Sequence, residues 1–347
     1  MRMWQQPLPP EAEPASQSVT QLMFFATHTL GEVDVRLYRH YARQLSQSRG
    51  PAMSTQMWVL LYQEDMEDVR ILSGESASIG AGVCAWGYGA IRRAFPALAS
   101  SASAASRVYL GNSSEERNFK RYWWVHASLL LWNQTFGYGF PLLEYYWRIE
   151  PDVVYTKSWA DLVAYAAADK SDLVLPKYVS QEDSPSYVHW RAHELLLSTL
   201  PQRERVFSLV SLGRYSRLFL RLMAESWAAG VSGYEEITLP ARCLPRNRCK
   251  RTSFTALAHR RLANSTSHLS TSFFRYNPCW KCDSFLRAAV AYNSRQQLWH
   301  PVKSRECWAD YLDATSSGTQ EVALGPAKAT HSHMAEARKE WSESCRD

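Results

Sequence analysis

Between Leu142 and Tyr155 the chain reads Leu-Leu-Glu-Tyr-Tyr-Trp-Arg-Ile-Glu-Pro-Asp-Val-Val-Tyr. The aromatic and aliphatic part of this run suits a packed, pleated surface better than a helix. Pro151 fixes its own φ and pushes Glu150 towards extended backbone, which places the proline at the end of a strand and not within it. Side chains two apart on a strand share a face, so Glu150 and Asp152 are expected to point the same way. The stretch therefore predicts a buried strand ending in two carboxylates. In open α/β sheets the carboxyl edge is where ligands bind, and a hard divalent cation, Mn²⁺ or Mg²⁺, would be held there through one or two carboxylates and several waters. The competing reading is an acidic turn after a core strand.

The rest of the chain alternates strands and helices. Leu22–His28 reads as a first buried strand, Val33–Ser46 recurs as an amphipathic helix, and Met57–Tyr62 reads as a second strand. Tyr122–Trp132 predicts a buried helix and Ser158 an N-cap for a helix over Trp159–Ala168. Asp172–Pro176 carries another short strand, and Ser211–Ala229 reads as one long helix stopping at Gly230. That order predicts an α/β fold with a mostly parallel sheet covered on both faces. Residues 80–106, rich in Gly, Ala and Ser, give no firm element and no ordered phosphate-loop pattern. Composition marks residues 1–19 as disordered and 314–347 as a flexible tail, which leaves one domain over 20–313.

A content of 46% hydrophobic and 13% aromatic residues in 347 supplies a sizeable core. The fourteen tryptophans and eighteen tyrosines suit either that core or platforms for sugar rings. A net charge of +6 favours anionic ligands without identifying one. Of seven cysteines, five lie between 243 and 307. Cys243/Cys249 and Cys279/Cys282 can close small disulfide loops in an oxidising compartment, or these four sulfurs can hold zinc; the C-x5-C spacing favours disulfides. Sequons stand at Asn112, Asn133 and Asn264. Met1–Gln21 lacks the apolar core of a signal peptide and no stretch is long and apolar enough for a bilayer span, so the sequence as it stands is expected to be soluble.

Several separated segments resemble eukaryotic and algal glycosyltransferase-like proteins of the GT-A type. They are Phe24–Thr29, Trp58–Tyr62, Tyr146–Val153 with Tyr155 and Trp159, Gly213–Leu218, Gly233–Pro240 and Leu298–Lys303. The resemblance implies a GT-A fold and a metal-dependent enzyme that moves sugar from a nucleotide-diphosphate donor to a hydroxyl of a glycan or protein acceptor. It implies Glu150, Asp152 and His300 as metal ligands, with Thr27, His28, Arg214, Arg217 and Lys303 towards the nucleotide and its phosphates. Glu236, or its neighbour Glu235, is the implied base for the acceptor hydroxyl. Arg214 and Arg217 are expected at a helix start, where free N–H groups attract anions. Trp190 falls where such enzymes hold the acceptor, with core packing as its other reading. Pro151 and Lys157 depart from the family pattern. With the sequons and cysteines, the resemblance implies a Golgi or other secretory location.

Two other functions compete. One is a GT-A-like protein that binds glycans or partners without catalysis. The other is nucleic-acid binding through Arg242, Arg246, Arg248, Lys250, Arg251, Arg260 and Arg261 with Phe254 among them; no nucleic-acid module surrounds this run, so no nucleic-acid partner is expected.

Overall fold

A computed structural model describes residues 18–46, 55–80, 82–98, 126–155, 158–187, 189–190, 200–231, 233–263, 274–276, 285, 298–301 and 307. The 314–347 tail, nearly all of the 1–19 segment, Cys279, Cys282, Cys345, Lys157, Lys303 and the sequons at Asn112 and Asn264 lie outside these residues.

Strand β1 (Gln21–Thr27) is buried along its whole length. It pairs in parallel with β2 (Thr55–Tyr62) on one side and with β5 (Tyr145–Ile149) on the other. Beyond β2 lie β4 (Gly82–Trp86), parallel to it, and the antiparallel β3 (Arg70–Ile71). Beyond β5 come β10 (Leu212–Ser216), antiparallel, then β7 (Leu173–Leu175) and β11 (Arg251–Ser253), parallel to each other. The result is a mixed, mostly parallel eight-stranded sheet in the order β11-β7-β10-β5-β1-β2-β4-β3. From β1 the chain moves outward to β2, whereas β5 returns on the opposite flank, so the order reverses between β1 and β5.

The two-residue period of the strands sorts their side chains into two cores. Leu22, Phe24, Trp58, Leu60 and Tyr146 face one layer, which contains α3 (Tyr88–Ala94), α4 (Ala127–Phe136) and α6 (Arg217–Ala228). Met23, Phe25, Val59, Trp147 and Ile149 face the other, with α1 (Glu32–Ser46), α5 (Trp159–Ala167) and α8 (Phe254–Ala263). The tryptophans serve mainly as core: Trp132, Trp147, Trp159 and Trp299 are among the largest fully buried side chains. Ser158 caps α5 by accepting from the Ala160 amide, as its sequence position predicts. Helix α2 (Ser73–Ile79) joins β3 to β4.

Three expectations change. Ser211–Ala229 is not one helix: Leu212–Ser216 is a fully buried strand, and Ser216, accepting from the Phe219 amide, starts α6 only afterwards. The helix ends where Gly230 adopts φ +73, a left-handed conformation that glycine enters without a Cβ penalty. Residues 82–86 and 88–94, within the unassigned 80–106 stretch, form β4 and α3; four glycines had masked a short buried strand. Asn133 sits inside α4 and not on a loop, its side chain accepts from the Tyr146 hydroxyl, and the buried Thr135 hydroxyl donates to Leu131 O. That sequon is built into the fold.

Cys243 and Cys249 form a disulfide, which removes them from any zinc site. Cys307 is disulfide-bonded as well, whereas Cys84 is a buried free thiol. No described helix is long and apolar enough to cross a membrane.

Candidate functional site

Strand β5 stops at Ile149, and Glu150 still continues the ladder by donating its amide to Ser211 O at 2.9 Å. A turn over Pro151 and Asp152 then leads into β6 (Val154–Tyr155). Strand β13 (Leu298–His300) pairs antiparallel with β6, Trp299 opposite Val154, so His300 arrives beside the turn. Its Nε2 lies 3.6 Å from Glu150 Oε2 and 3.5 Å from Asp152 Oδ1. One ligand atom from each of the three residues lies within 4.8 Å of the others. Sequence reasoning put these three together, although about 150 residues separate the histidine from the acids.

The cluster is electrostatically tense. Burial alone would raise the Glu150 carboxyl, but the Arg148 guanidinium and the His300 ring outweigh it and hold it well below the usual carboxylate range. Burial would lower His300, yet Asp152 and Glu150 raise it to about 9. Asp152 Oδ1 is buried and accepts no hydrogen bond, its histidine neighbour standing at ion-pair distance. Several other buried polar atoms among the described residues share this state, Arg148 Nε and Arg214 Nε included. Arg148, two residues before Glu150, points into the α4 face of the sheet, donating to Glu150 Oε1 at 3.0 Å and to Val210 O at 3.3 Å. Sequence analysis assigned it no role, although its spacing from Glu150 and its place in an apolar strand were visible signals.

Thr27 and His28 end β1 at this same carboxyl edge, on the other side of the point where strand order reverses. Thr27 is buried, its hydroxyl donating to Thr29 O at 2.8 Å, while His28 is exposed.

Helix α7 (Glu235–Arg242) packs against β9 (Val206–Phe207), which pairs with β8 (Val179–Ser180). It brings Glu236 close enough to the cluster for the charges of Glu150 and His300 to reach it. Burial pushes the Glu236 carboxyl up to about 7; the Tyr187 hydroxyl, which donates to Oε2, and His300 partly oppose this, and Glu150 adds to it. Tyr187 is fixed in turn by stacking on Phe207 at 3.9 Å and by Trp190 at 5.7 Å. Trp190 is buried and donates to Ser184 O, so core packing is its role here.

Glu235 is not at the site. Its carboxylate is buried and occupied by the His126 amide and ring, on the α4 side of the core.

Of the two arginines expected at a helix start, only Arg217 stands there, as the first residue of α6. Arg214 lies within a strand and not at a helix start, and is fully buried. Its guanidinium donates to the carbonyls of Ala166, Asp169 and Ser171 around the end of α5, and covers the Tyr145 ring at 4.2 Å. Arg217 begins α6 but donates to Gly137 O and Phe140 O. Ser216 pairs with Tyr145, at the start of β5, which puts Arg217 on the order of 20 Å along the strand direction from Glu150. Neither arginine can meet a phosphate bound at the carboxyl edge.

Part of the basic run is engaged in the fold, while Arg246, Arg248 and Lys250 are exposed. Arg251 donates to Pro240 O at 2.6 Å, Arg260 meets Thr252 and Asp169, and Phe254 is buried against Trp147.

No protein-family model matches the sequence, and no curated protein matches it. Among solved structures, the chain is similar to mouse xyloside xylosyltransferase 1 in its apo form, at 10% identity and a TM-score of 0.38, over 82% of this chain and 98% of that one. It is similar to core-mannan synthase A from Aspergillus fumigatus in a Mn/GDP form, at 10% identity and a TM-score of 0.37, over 68% and 73%. The mannosyltransferase Ktr4p from S. cerevisiae matches at 10% identity and a TM-score of 0.36, over 74% of each chain. Likeness at TM-scores below 0.5 assigns neither an activity nor a substrate.

Proposed function

We propose that the carboxyl edge of the sheet binds a divalent cation with a nucleoside-diphosphate sugar, and that the protein transfers the sugar to a hydroxyl acceptor. The observation that carries this is the convergence of Glu150, Asp152 and His300 where strand order reverses, with Glu236 beside them. Ligands of open α/β sheets settle at such a reversal. Two carboxylates and one imidazole suit Mn²⁺ or Mg²⁺ in hardness and charge, and the closeness of their ligand atoms, within 4.8 Å of one another, supports the fit. A cation bound there would supply positive charge to a departing diphosphate.

The chain's own residues have separable tasks. Arg148 orients Glu150 and keeps it ionised, as outer-shell partners of ligands do. Glu236, with its carboxyl near 7, is poised to take the acceptor's proton at neutral pH, because base catalysis works best when the pKa approaches the operating pH. Tyr187 holds one of its oxygens and so fixes the direction of the other. Thr27 and His28 border the donor's place from β1. The nucleotide sugar, the glycan or protein acceptor and the placing of Lys303 near a phosphate follow from the sequence resemblance. The Cys243–Cys249 disulfide supports an oxidising, secretory compartment.

Calorimetric titration with nucleoside diphosphates, with and without Mn²⁺, tests the reading. Manganese-dependent binding that disappears in Asp152→Asn is expected. A folded wild-type chain that binds no nucleotide under either condition would sink it, and binding without turnover would favour the non-catalytic relative.

A further inference from the structure

We propose that Glu235 is a positioning residue for Glu236: its carboxylate caps helix α4 across the core, and this buried tie sets the direction in which Glu236 enters the site. The inference rests on the reading of Glu236 as the acceptor's base. Consecutive helical side chains point about 100° apart, so Glu235 and Glu236 cannot serve the same surface. Glu235 is 2% exposed and turns inward. Both of its oxygens accept from the His126 amide, at 3.1 and 3.2 Å, and one also meets His126 Nδ1.

His126 immediately precedes α4, so this amide is among the donors that a helix start leaves without an intrahelical acceptor. The positive end of the helix macrodipole lies there too, and a carboxylate is the complementary group. The far side of the ring, Nε2, lies 2.5 Å from the Tyr215 hydroxyl. Burial pushes the His126 pKa down, with Glu235 partly offsetting it, which makes the imidazole neutral at pH 7. A neutral ring has one donor and one acceptor: Nδ1–H faces the carboxylate and Nε2 accepts from the phenol. Tyr215 needs room to reach it. A Cβ on Gly213 would come within 1.9 Å of the Tyr215 oxygen, and so the strand carries glycine there.

Helix α7 has only eight residues, with Pro240 inside it, and a helix that short has little stability of its own. Its orientation must come from what holds it. Ser208 donates to the Glu236 carbonyl at 2.9 Å and Tyr187 to the Glu236 carboxylate, both on the β8–β9 side. Ile237 and Leu239 add apolar contacts. Glu235 supplies the polar anchor of the first turn on another face, to the start of α4, while Arg251 of β11, donating to Pro240 O, ties the last turn to the main sheet. The cation ligands come from β13 and the turn between β5 and β6, with none from α7, so loosening the anchor should leave them in place.

Hydrogen exchange on Glu235→Gln and His126→Asn tests this without requiring turnover. The Ile237 and Thr238 amides, bonded to Tyr234 O, and the Ser208 amide report the first turn of α7. About tenfold faster exchange there is expected, with Trp147 of β5 protected as before, the signature of a local opening. Affinity for Mn²⁺ alone should stay within about twofold. Unchanged exchange at these amides overturns the proposal, as does an equal rise at Trp147 or a parallel loss of Mn²⁺ affinity. Tyr215→Phe, which removes a single hydroxyl, is the milder probe should the others fail to fold; a rise of about twofold to threefold at the same amides is expected, and none overturns it. Where turnover is measurable, Glu235→Gln should lose it without adding to the loss in Glu236→Gln; multiplying losses refute positioning. If the wild type binds no nucleotide, the proposed function fails while the exchange result still decides whether Glu235 anchors α7.

Discussion

Arg214 is fully buried and the Glu150–Asp152–His300 cluster partly so, and the two lie at different heights of the same sheet. Around Arg214, three carbonyls take the terminal N–H groups and Asp169 lies 3.6 Å away, while its Nε has no hydrogen-bond partner. The carbonyls bring the negative end of α5 to a cation, a favourable pairing. At the carboxyl edge, Glu150 and Asp152 both lie within 3.6 Å of the His300 ring and raise it to about 9, and the charge of Glu150 also reaches Glu236, which is raised to about 7. Arg214 is held by backbone carbonyls within the framework, whereas the carboxyl edge gathers side chains that shift one another's pKa values, as functional sites do.

Substitution at each region separates the two cases. Arg214→Met should cause the largest change, a loss of about 3–5 kcal/mol in chemical denaturation, because it strips buried carbonyls of a charged donor. Mn²⁺ affinity should be unaffected; a fall larger than the folding loss explains would join the regions. Asp152→Asn should act mainly on the metal: about 100-fold weaker Mn²⁺ binding, about 2.7 kcal/mol, with a stability loss of only about 1 kcal/mol as the partly exposed ion pair with His300 goes. Equal metal affinity in this variant would remove Asp152 from the ligand set.

Glu236→Gln should act through pH. The folded carboxyl titrates near 7, above its ordinary value of 4.5, so protons favour the folded chain: the stabilisation is complete below pH 4.5 and is lost as pH rises through 7. Wild-type stability should therefore decline over this range by on the order of 2 kcal/mol more than that of the variant, read from urea midpoints. Matching profiles would show that Glu236 is not so buried. Base catalysis by Glu236 should increase over the same interval as the carboxyl ionises. The smallest effect belongs to Arg260→Gln, whose ion pair with Asp169 is solvent-exposed on the arginine side; less than about 1 kcal/mol is expected. A larger loss would extend the structural role of Arg214 outward through the shared Asp169.

The strands β1, β2 and β5, the cap at Ser158 and the acids at the end of β5 are written in short windows, where periodicity and turn chemistry dominate. Strand β10 was misread because Leu212–Ser216 adjoins a true amphipathic helix, and a five-residue buried strand has no alternation of its own to separate it. In sequence only the spacing of Glu236 from Pro240, through the resemblance, set it above Glu235. Helix phase and the positions of His126 and Tyr187 assign one to the core and one to the site.

The sequence by itself determined that a buried strand must end before Pro151, with a carboxylate on either side of the proline, since proline geometry and strand alternation act over a few residues. The resemblance implied His300 beside them, but tertiary structure decided that β13 delivers it by pairing with β6, that Arg148 turns in to hold Glu150, and that Arg214 and Arg217 belong to the framework. Those outcomes depend on strand order and packing between distant segments, where the charge and burial of each group are set by neighbours far away in sequence.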